Sequence, residues 1–240
     1  MKPVLFLTRH IPEPAIKMLE EKFTLKINPN NRALTHQELI EGIKDAEALI
    51  CLLTDNIDRT VINSAPKLKV ISSYAVGYNN IDVEYATQLG IAVCNTPGVL
   101  TETTADLTWA LILASCRRIS ESERFLRNGN FKGWEPMLML GQDVYGKTLG
   151  IIGMGRIGQA VAKRATGFEM RIIYYNDPSL SQKLPFEARE VSLKTLLQEA
   201  DIITLHLPLT KETFHLISKE EFALMKESAV LINTSRGAVI

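Results

Sequence analysis

The sequence has no excess charge of either sign and no long apolar run. Its 240 residues carry 27 Lys and Arg against 27 Asp and Glu. This balance argues against a nucleic-acid or membrane-surface partner, since both favour a basic excess. The apolar run at Val4–Leu7 is too short for a signal peptide, and no other run approaches the length of a membrane span. We therefore expect a cytoplasmic protein.

Cysteine is also scarce. The three residues, Cys51, Cys94 and Cys116, are widely separated, and each lies among apolar neighbours. Their spacing fits no metal-binding pattern, so the sequence predicts no metal site. We expect all three to be reduced side chains in the core.

The segment from residue 147 to residue 177 carries the strongest motif. Three glycines in G-x-G-x-x-G spacing follow an apolar strand, Leu149–Ile152, and a helical pattern and a second strand, Arg171–Tyr175, come after them. In such a unit the glycines allow a tight turn, a close approach to a pyrophosphate and close packing of helix on strand. An isolated motif would fit a structural turn equally well. In this context it predicts a dinucleotide site formed by Gly153, Gly155, Arg156, Ile157 and Gly158.

The choice between NAD and NADP depends on the end of the second strand. Asn176 and Asp177 come 18 and 19 positions after Gly158. An acid there binds the ribose 2′-hydroxyl and repels a 2′-phosphate. The alternative is that Asp177 only starts a turn before a proline. Because the first base after it is Lys183, we predict NAD and leave NADP open.

Strand and helix patterns alternate along the chain, which predicts an α/β protein with parallel sheets covered on both faces. A turn-forming cluster at residues 95–98 marks a domain boundary, so we predict domains at residues 1–98 and 99–240. The pattern from Thr101 to Arg127 indicates one long helix, with Leu107, Leu111 and Ile119 on an apolar face.

The loop at residues 128–146 is unusually apolar, with Phe131, Trp134, Met137, Leu138, Met139 and Leu140. An exposed apolar loop marks a partner surface. Packing of the loop on its own subunit is an equal alternative.

Several motifs together resemble the D-2-hydroxyacid dehydrogenases, most closely the glyoxylate/hydroxypyruvate reductases. Besides the glycine motif, these are SSYAVGYNNID at 72–82, CNTPGVLTETTADLTWALILA at 94–114, LHLPLTKET at 205–213 and LINTSRGAV at 231–239. The resemblance implies two doubly wound, Rossmann-like domains with an active-site cleft between them. The first would be a flavodoxin-like substrate domain, and the second a dinucleotide-binding domain that is incomplete at its C-terminus. It implies NAD(P)H-dependent reduction of glyoxylate or hydroxypyruvate to a D-2-hydroxy acid.

The resemblance also assigns site residues. Backbone N–H groups of Ala75, Val76 and Gly77 would bind the substrate carboxylate. Arg236 would hold that carboxylate and polarise the carbonyl, although an arginine in such a position is by itself more typical of a solvated charge. Cofactor contacts would come from Thr104, His206, Pro208, Thr213, Thr234 and Ser235, each of which also fits a turn or cap residue.

In the family a histidine with a glutamate supplies the proton, and both would lie beyond the position of Ile240. None of His10, His36, His206 and His215 matches that motif. We therefore expect a truncated chain with little turnover. The family's assembly and the apolar loop predict a homodimer through the cofactor domain. The alternative function is a dinucleotide-sensing interaction protein of the same fold without dehydrogenase turnover.

Overall fold

Strands and helices alternate along the chain and form two separate α/β units. The computed structural model describes residues 1–30, 32–176 and 184–240, and it divides into Met1–Val99 and Leu100–Ile240. Each unit is built on a five-stranded sheet in which all recorded strand pairs are parallel. The predicted fold class is confirmed. In the described residues we find no helix with the length and apolar character needed to cross a bilayer.

The first unit has the strand order β2-β1-β3-β4-β5. This is the flavodoxin-like order, in which the chain reverses its direction of growth between β1 and β3. The elements are β1 (Val4–Leu7), α1 (Glu13–Lys22), β2 (Thr24–Ile27), α2 (His36–Ile43), β3 (Ala48–Cys51), α3 (Arg59–Asn63), β4 (Val70–Ser73), α4 (Val83–Gln88) and β5 (Ala92–Cys94).

The second unit has the strand order β10-β9-β6-β7-β8. Counted within the unit, this is the order of the dinucleotide-binding fold, and its reversal point lies between β6 and β9. The elements are α5 (Thr101–Cys116), α6 (Ile119–Arg127), β6 (Thr148–Ile152), α7 (Arg156–Ala165), β7 (Arg171–Tyr175), β8 (Arg189–Glu190), α8 (Leu193–Glu199), β9 (Ile202–Leu205), α9 (Lys219–Leu224) and β10 (Val230–Asn233).

The core of the second unit is centred on β6, whose five residues are all buried. Helix α5 packs against α7 through Trp109, whose indole Nε1 donates to the Val161 carbonyl at 3.1 Å. The same indole stacks on Phe168 with ring centroids 4.7 Å apart. These contacts hold α5 beside the helix that follows the glycine motif.

The prediction of one helix from Thr101 to Arg127 is wrong. The helix ends at Cys116, and α6 begins at Ile119 after Arg118, which has a left-handed backbone with φ 53°. The face that carries Leu107, Leu111 and Ile119 is exposed. The opposite side is buried, through Ala105, Thr108, Trp109, Ile112 and Cys116. Because α5 has apolar side chains on both sides, periodicity alone could not identify the side that faces the sheet.

The cysteine prediction holds for two of the three residues. Cys51 and Cys116 are buried, whereas Cys94 is exposed. Cys94 ends β5, an edge strand with little cover on one face. Burial, with a smaller contribution from the Asp55 carboxylate, raises the pKa of the Cys51 thiol to about 12. This thiol is therefore protonated and inert at neutral pH.

The packing of α8 on β6 predicts that Gly150→Ala destabilises the second unit. A Cβ at Gly150 would lie 2.7 Å from Leu196 Cδ2 and 2.8 Å from Ala200 Cβ. Overpacking of this kind costs about 1–3 kcal/mol, which chemical denaturation would measure. Gly167→Ala is the matched control, because no atom lies within 4 Å of its Cβ position. Equal stabilities for the two variants would contradict the prediction.

Candidate functional site

The turn between β6 and α7 has no room for side chains at two of its three glycines. Gly153 has φ +97°, and a Cβ there would lie 2.7 Å from the carbonyl oxygen of His206. A Cβ at Gly158 would lie 2.2 Å from the carbonyl oxygen of Gly153. The first glycine therefore permits the turn beside β9, and the third permits close packing of α7 on the turn.

Gly155 differs from both, because its Cβ position has no atom within 4 Å. It is the N-cap of α7 and has no side chain to accept from the N–H groups of the first helical turn. Arg156 is exposed and Ile157 is half-buried in that turn. An open space beside an uncapped helix start fits a pyrophosphate, which the backbone N–H groups and the helix dipole would stabilise.

Asn176 connects the end of β7 to the glycine turn. Its side chain is buried, and its Oδ1 accepts a hydrogen bond from the Met154 N–H at 3.3 Å. This bond shows that the Asn176 side chain supports the turn, whereas its predicted contact with the ribose stays a prediction. Asp177 lies outside the described residues, so its contact with the ribose stays a prediction.

A chain of side-chain hydrogen bonds joins three elements of the second unit. Thr108 of α5 donates to the Thr104 carbonyl at 2.8 Å, and its Oγ1 lies 3.1 Å from Thr234 Oγ1, after β10. Thr234 Oγ1 lies 3.4 Å from Nδ1 of His206, which follows β9. Two predicted cofactor residues, Thr234 and His206, are thus neighbours, and Thr104 is linked to them through Thr108.

Counting protons along this chain fixes the direction of each bond. The single hydroxyl proton of Thr108 goes to a carbonyl, so Thr108 accepts from Thr234. Thr234 has then used its own proton, and its oxygen accepts from His206 Nδ1–H. Burial lowers the pKa of His206 to about 4, so the ring is neutral at neutral pH. Its Nε2 is a buried acceptor without a partner among the described residues.

Thr108 was not predicted as a site residue. A threonine in the middle of a helix has poor helix propensity, and its hydroxyl often bonds to the carbonyl one turn earlier. The threonine in the middle of the helix was the only sign of this hydrogen bond in the sequence.

The loop after β9 is shaped by Thr213. Its hydroxyl donates to the Pro208 carbonyl at 2.6 Å and accepts from the Thr210 N–H at 2.8 Å. The His206 N–H donates to the Ile152 carbonyl at 2.8 Å, which keeps the start of the loop beside β6. The predicted contacts of Pro208 and Thr213 with adenosine remain predictions, but the loop's conformation depends on this hydroxyl.

Asn233 holds the segment that contains Arg236. Its Oδ1 accepts from the N–H and the hydroxyl of Ser235 at 2.9 and 2.7 Å, and its Nδ2 donates to the Arg236 carbonyl at 2.8 Å. The Arg236 side chain is half-buried, and it donates to the Ser235 carbonyl at 2.9 Å. Asn233 was not among the predicted site residues, although an Asn at a strand end commonly forms such a turn.

The predicted substrate segment, residues 75–77, lies in the first unit directly after β4. Each of its three carbonyl groups accepts a hydrogen bond. The donors are Thr96 N–H to Ala75 at 3.0 Å, Asn95 Nδ2 to Val76 at 2.8 Å and Ser73 Oγ to Gly77 at 3.2 Å.

This pattern orients the neighbouring N–H groups. In a trans peptide the N–H points opposite to the preceding carbonyl, so the N–H groups of residues 76, 77 and 78 point away from the three donors. Within the described part of the chain, none of these N–H groups has an acceptor. Successive backbone N–H groups without acceptors can form an anion site. We call this group of three N–H groups the anion cradle.

Comparisons with known proteins identify the family of this chain. Residues 109–240 match the model of the NAD binding domain of D-isomer specific 2-hydroxyacid dehydrogenases. A glyoxylate reductase of Thermococcus litoralis is 51% identical over 247 residues, which cover 100% of this chain and 74% of that protein. One from Korarchaeum cryptofilum is 52% identical over 244 residues, 100% of this chain and 73% of that protein. This chain belongs to the D-isomer specific 2-hydroxyacid dehydrogenases.

A solved structure supports the same assignment. The D-lactate dehydrogenase of Aquifex aeolicus, complexed with NAD and lactic acid, superposes with a TM-score of 0.85 at 31% identity, over 99% of this chain and 70% of that one. The predicted family and cofactor are confirmed: the chain is an NAD(P)-dependent oxidoreductase with an NAD-binding domain, and it reduces a 2-oxo acid. The open space at Gly155 fits that cofactor.

The glycine geometry predicts that alanine at position 155 weakens NADH binding and that alanine at position 158 lowers stability. Gly155→Ala leaves the fold intact, because its backbone angles suit any residue, but its methyl group occupies the open space. One methyl group in a ligand pocket costs about 1–3 kcal/mol, which corresponds to roughly 10- to 200-fold weaker NADH binding. Gly158→Ala instead lowers the melting temperature, since its Cβ meets backbone. Fluorescence titration and thermal unfolding measure the two effects, and an unchanged NADH affinity in Gly155→Ala would disprove the ligand assignment.

Proposed function

We propose that the protein uses NADH to reduce glyoxylate or hydroxypyruvate to the corresponding 2-hydroxy acid, in the D configuration where the product is chiral. The observation that carries this proposal is the arginine segment after β10. Asn233 fixes the backbone of Ser235 and Arg236 on the sheet edge that also carries the glycine turn. Support for glyoxylate comes from the relatives in Thermococcus litoralis and Korarchaeum cryptofilum, which are glyoxylate reductases.

Arg236 has the chemistry needed for a 2-oxo acid. Its guanidinium is planar and always charged, and it can donate two parallel hydrogen bonds to a carboxylate or polarise a ketone oxygen. Lysine has neither the fork geometry nor the fixed plane. We infer that Arg236 binds the substrate and stabilises the negative charge that develops on the carbonyl oxygen.

The anion cradle provides the second set of contacts in this proposal. Three N–H groups that have no acceptor among the described residues can bind one carboxylate through charge-assisted hydrogen bonds. A backbone site of this kind fits the carboxylate that glyoxylate and hydroxypyruvate share. It leaves the choice between them to side chains around the rest of the substrate.

The cofactor supplies the hydride, and we propose that NADH is preferred over NADPH. The preference rests on Asp177, which lies outside the described residues. We also propose that His206 is not the proton donor. Its only proton is engaged with Thr234, and a pKa of about 4 leaves no second proton at neutral pH.

The direct test is nucleotide oxidation at 340 nm with glyoxylate or hydroxypyruvate, comparing NADH with NADPH. The sequence predicts little turnover, so the assay compares residual rates. We expect the NADH-dependent kcat/KM that remains to fall about 100-fold for Arg236→Lys, because a charge-assisted bond to the transition state is lost. Arg189→Lys is the control, since Arg189 pairs with Glu199 on the surface of the same unit.

Two outcomes would contradict the proposal. Equal activity of Arg236→Lys and Arg189→Lys would remove the arginine from the mechanism. NADH binding with neither reduction nor binding of either substrate would favour the alternative, a dinucleotide-sensing interaction protein. A higher rate with NADPH would overturn only the cofactor preference.

We further propose that the protein forms a homodimer through α5, α6 and the apolar loop. The side chains of Leu126, Phe131, Trp134 and Met137 are at least half exposed, with Trp134 at 81%. Leu126, Phe131 and Trp134 line a groove of about 360 Å³ between α6 and the loop. Apolar surface of this extent is typical of an interface.

The predicted cytoplasmic location stays a prediction.

The dimer proposal predicts that Leu126→Glu dissociates the protein. A charge in the centre of an apolar interface is strongly unfavourable, whereas Phe222→Glu changes a similarly exposed apolar residue on α9 and should have no effect. Light scattering at micromolar concentration gives the mass of each variant. A monomeric wild-type protein, or a dimeric Leu126→Glu variant, would contradict the proposal.

A further inference from the structure

We propose that Asn95 is a positioning residue for the substrate: its side-chain amide holds the Val76 carbonyl and thereby aims the Gly77 N–H at the substrate carboxylate. This inference rests on the proposed function, because it assumes that the anion cradle binds the carboxylate. In the sequence, Asn95 belongs to the turn-forming cluster at residues 95–98 and indicates only a domain boundary. The inference gives it a role in substrate binding.

The hydrogen-bond chemistry allows one arrangement of the Asn95 amide. A carbonyl oxygen can only accept, so the atom of Asn95 that lies 2.8 Å from it is the NH₂ group. The bonded carbonyl belongs to the peptide that joins Val76 to Gly77. Because that peptide is planar and trans, holding its carbonyl fixes the direction of the Gly77 N–H.

The register of the sheet explains why Asn95 reaches this peptide. Strands β4 and β5 are parallel neighbours in which Ser72 pairs with Cys94. Ser73, the last residue of β4, and Asn95, the first residue after β5, follow this pair, so both lie at the carboxyl edge where the cradle begins. Ser73 holds the carbonyl of Gly77, and Asn95 holds the carbonyl of Val76.

Of the three donors, Asn95 is the one whose side chain controls the central peptide. The Thr96 donor is a backbone N–H and does not depend on its side chain. The Ser73 hydroxyl can rotate, and its bond is longer at 3.2 Å. The Asn95 amide is planar, and its bond to Val76 also polarises that peptide. A hydrogen-bonded carbonyl makes the N–H of its own peptide a stronger donor.

The experiment measures carboxylate binding at the cradle itself. Oxamate, a non-reducible analogue of a 2-oxo acid, is titrated into the ¹⁵N-labelled chain, and the amide signals of residues 76–78 report binding. Two variants remove the donor in different ways. Asn95→Leu has nearly the same shape and no charge, whereas Asn95→Asp adds a negative charge.

The same two changes at Asn63 provide the control. Asn63 ends α3 in the same unit, and its Oδ1 accepts from the Tyr85 hydroxyl. Asp at this position keeps an acceptor there and adds the same charge. NADH binding, measured by fluorescence, should stay within about twofold in every variant, because the glycine turn belongs to the second unit.

We expect oxamate to shift the three amide signals in the wild type, and its affinity to fall about tenfold or more in both Asn95 variants. The Asn63 variants should bind as the wild type does. A loss in Asn95→Asp alone would show that charge repulsion explains the effect, and it would overturn the inference. Unchanged binding in both Asn95 variants would do the same, and would leave the proposed function standing. If oxamate fails to shift residues 76–78 in the wild type, the cradle's role in the proposed function is wrong, and the inference falls with it.

Discussion

The second unit depends on how closely its glycine turn approaches the loop after β9. The backbone at Gly153 runs so near the His206 carbonyl that a single methyl group would collide with it, and Gly158 packs against Gly153 in the same way. This approach takes place where the strand order reverses, between β6 and β9, which is where open α/β sheets bind their ligands. Of the three motif glycines, only Gly155 faces open space. The motif thus contains two positions required by packing and one that fits the proposed ligand.

Hydrogen bonds among Thr108, Thr234 and His206 hold together elements at the same edge of the sheet. They connect α5 to the ends of β9 and β10. Burial favours the neutral form of His206, so protonation of this ring destabilises the fold. Its lowered pKa therefore contributes stability above about pH 6.5, and this contribution is lost as the pH falls towards 4. Thr234 directly precedes the arginine segment. These hydrogen bonds therefore also hold the backbone from which the Arg236 side chain extends.

The elements that the sequence predicted well are those with local causes. The strand Arg171–Tyr175 has the predicted bounds, because a short β-branched and aromatic run is specific to a strand. Helix α7 directly follows the glycine turn, as the motif predicts. By contrast, β8 has only two residues, Arg189 and Glu190, both exposed and charged, so it lacked any apolar pattern. The break at Arg118 depends on a backbone conformation that no residue preference there indicates.

The site was predictable at the level of motifs and not at the level of hydrogen bonds. Thr108 and Thr234 are 126 positions apart, and the bond between them depends on how α5 packs against the sheet. The link from Asn95 to Val76 depends on the register of β4 and β5. The residues that touch ligands recur as motifs, whereas the residues that hold them in place are defined by tertiary structure.

A net charge of zero does not reveal whether a protein binds small anions. The chain has as many acidic as basic residues, which argued against a polyanionic partner, yet its cofactor and its substrate class are both anionic. The proposed sites reduce this conflict, because the glycine turn and the anion cradle offer backbone N–H groups beside the guanidinium of Arg236. Each N–H becomes available when its neighbouring carbonyl is held elsewhere in the fold. A backbone site of this kind adds no net charge, so small anions can be recognised specifically while polyanions are not attracted.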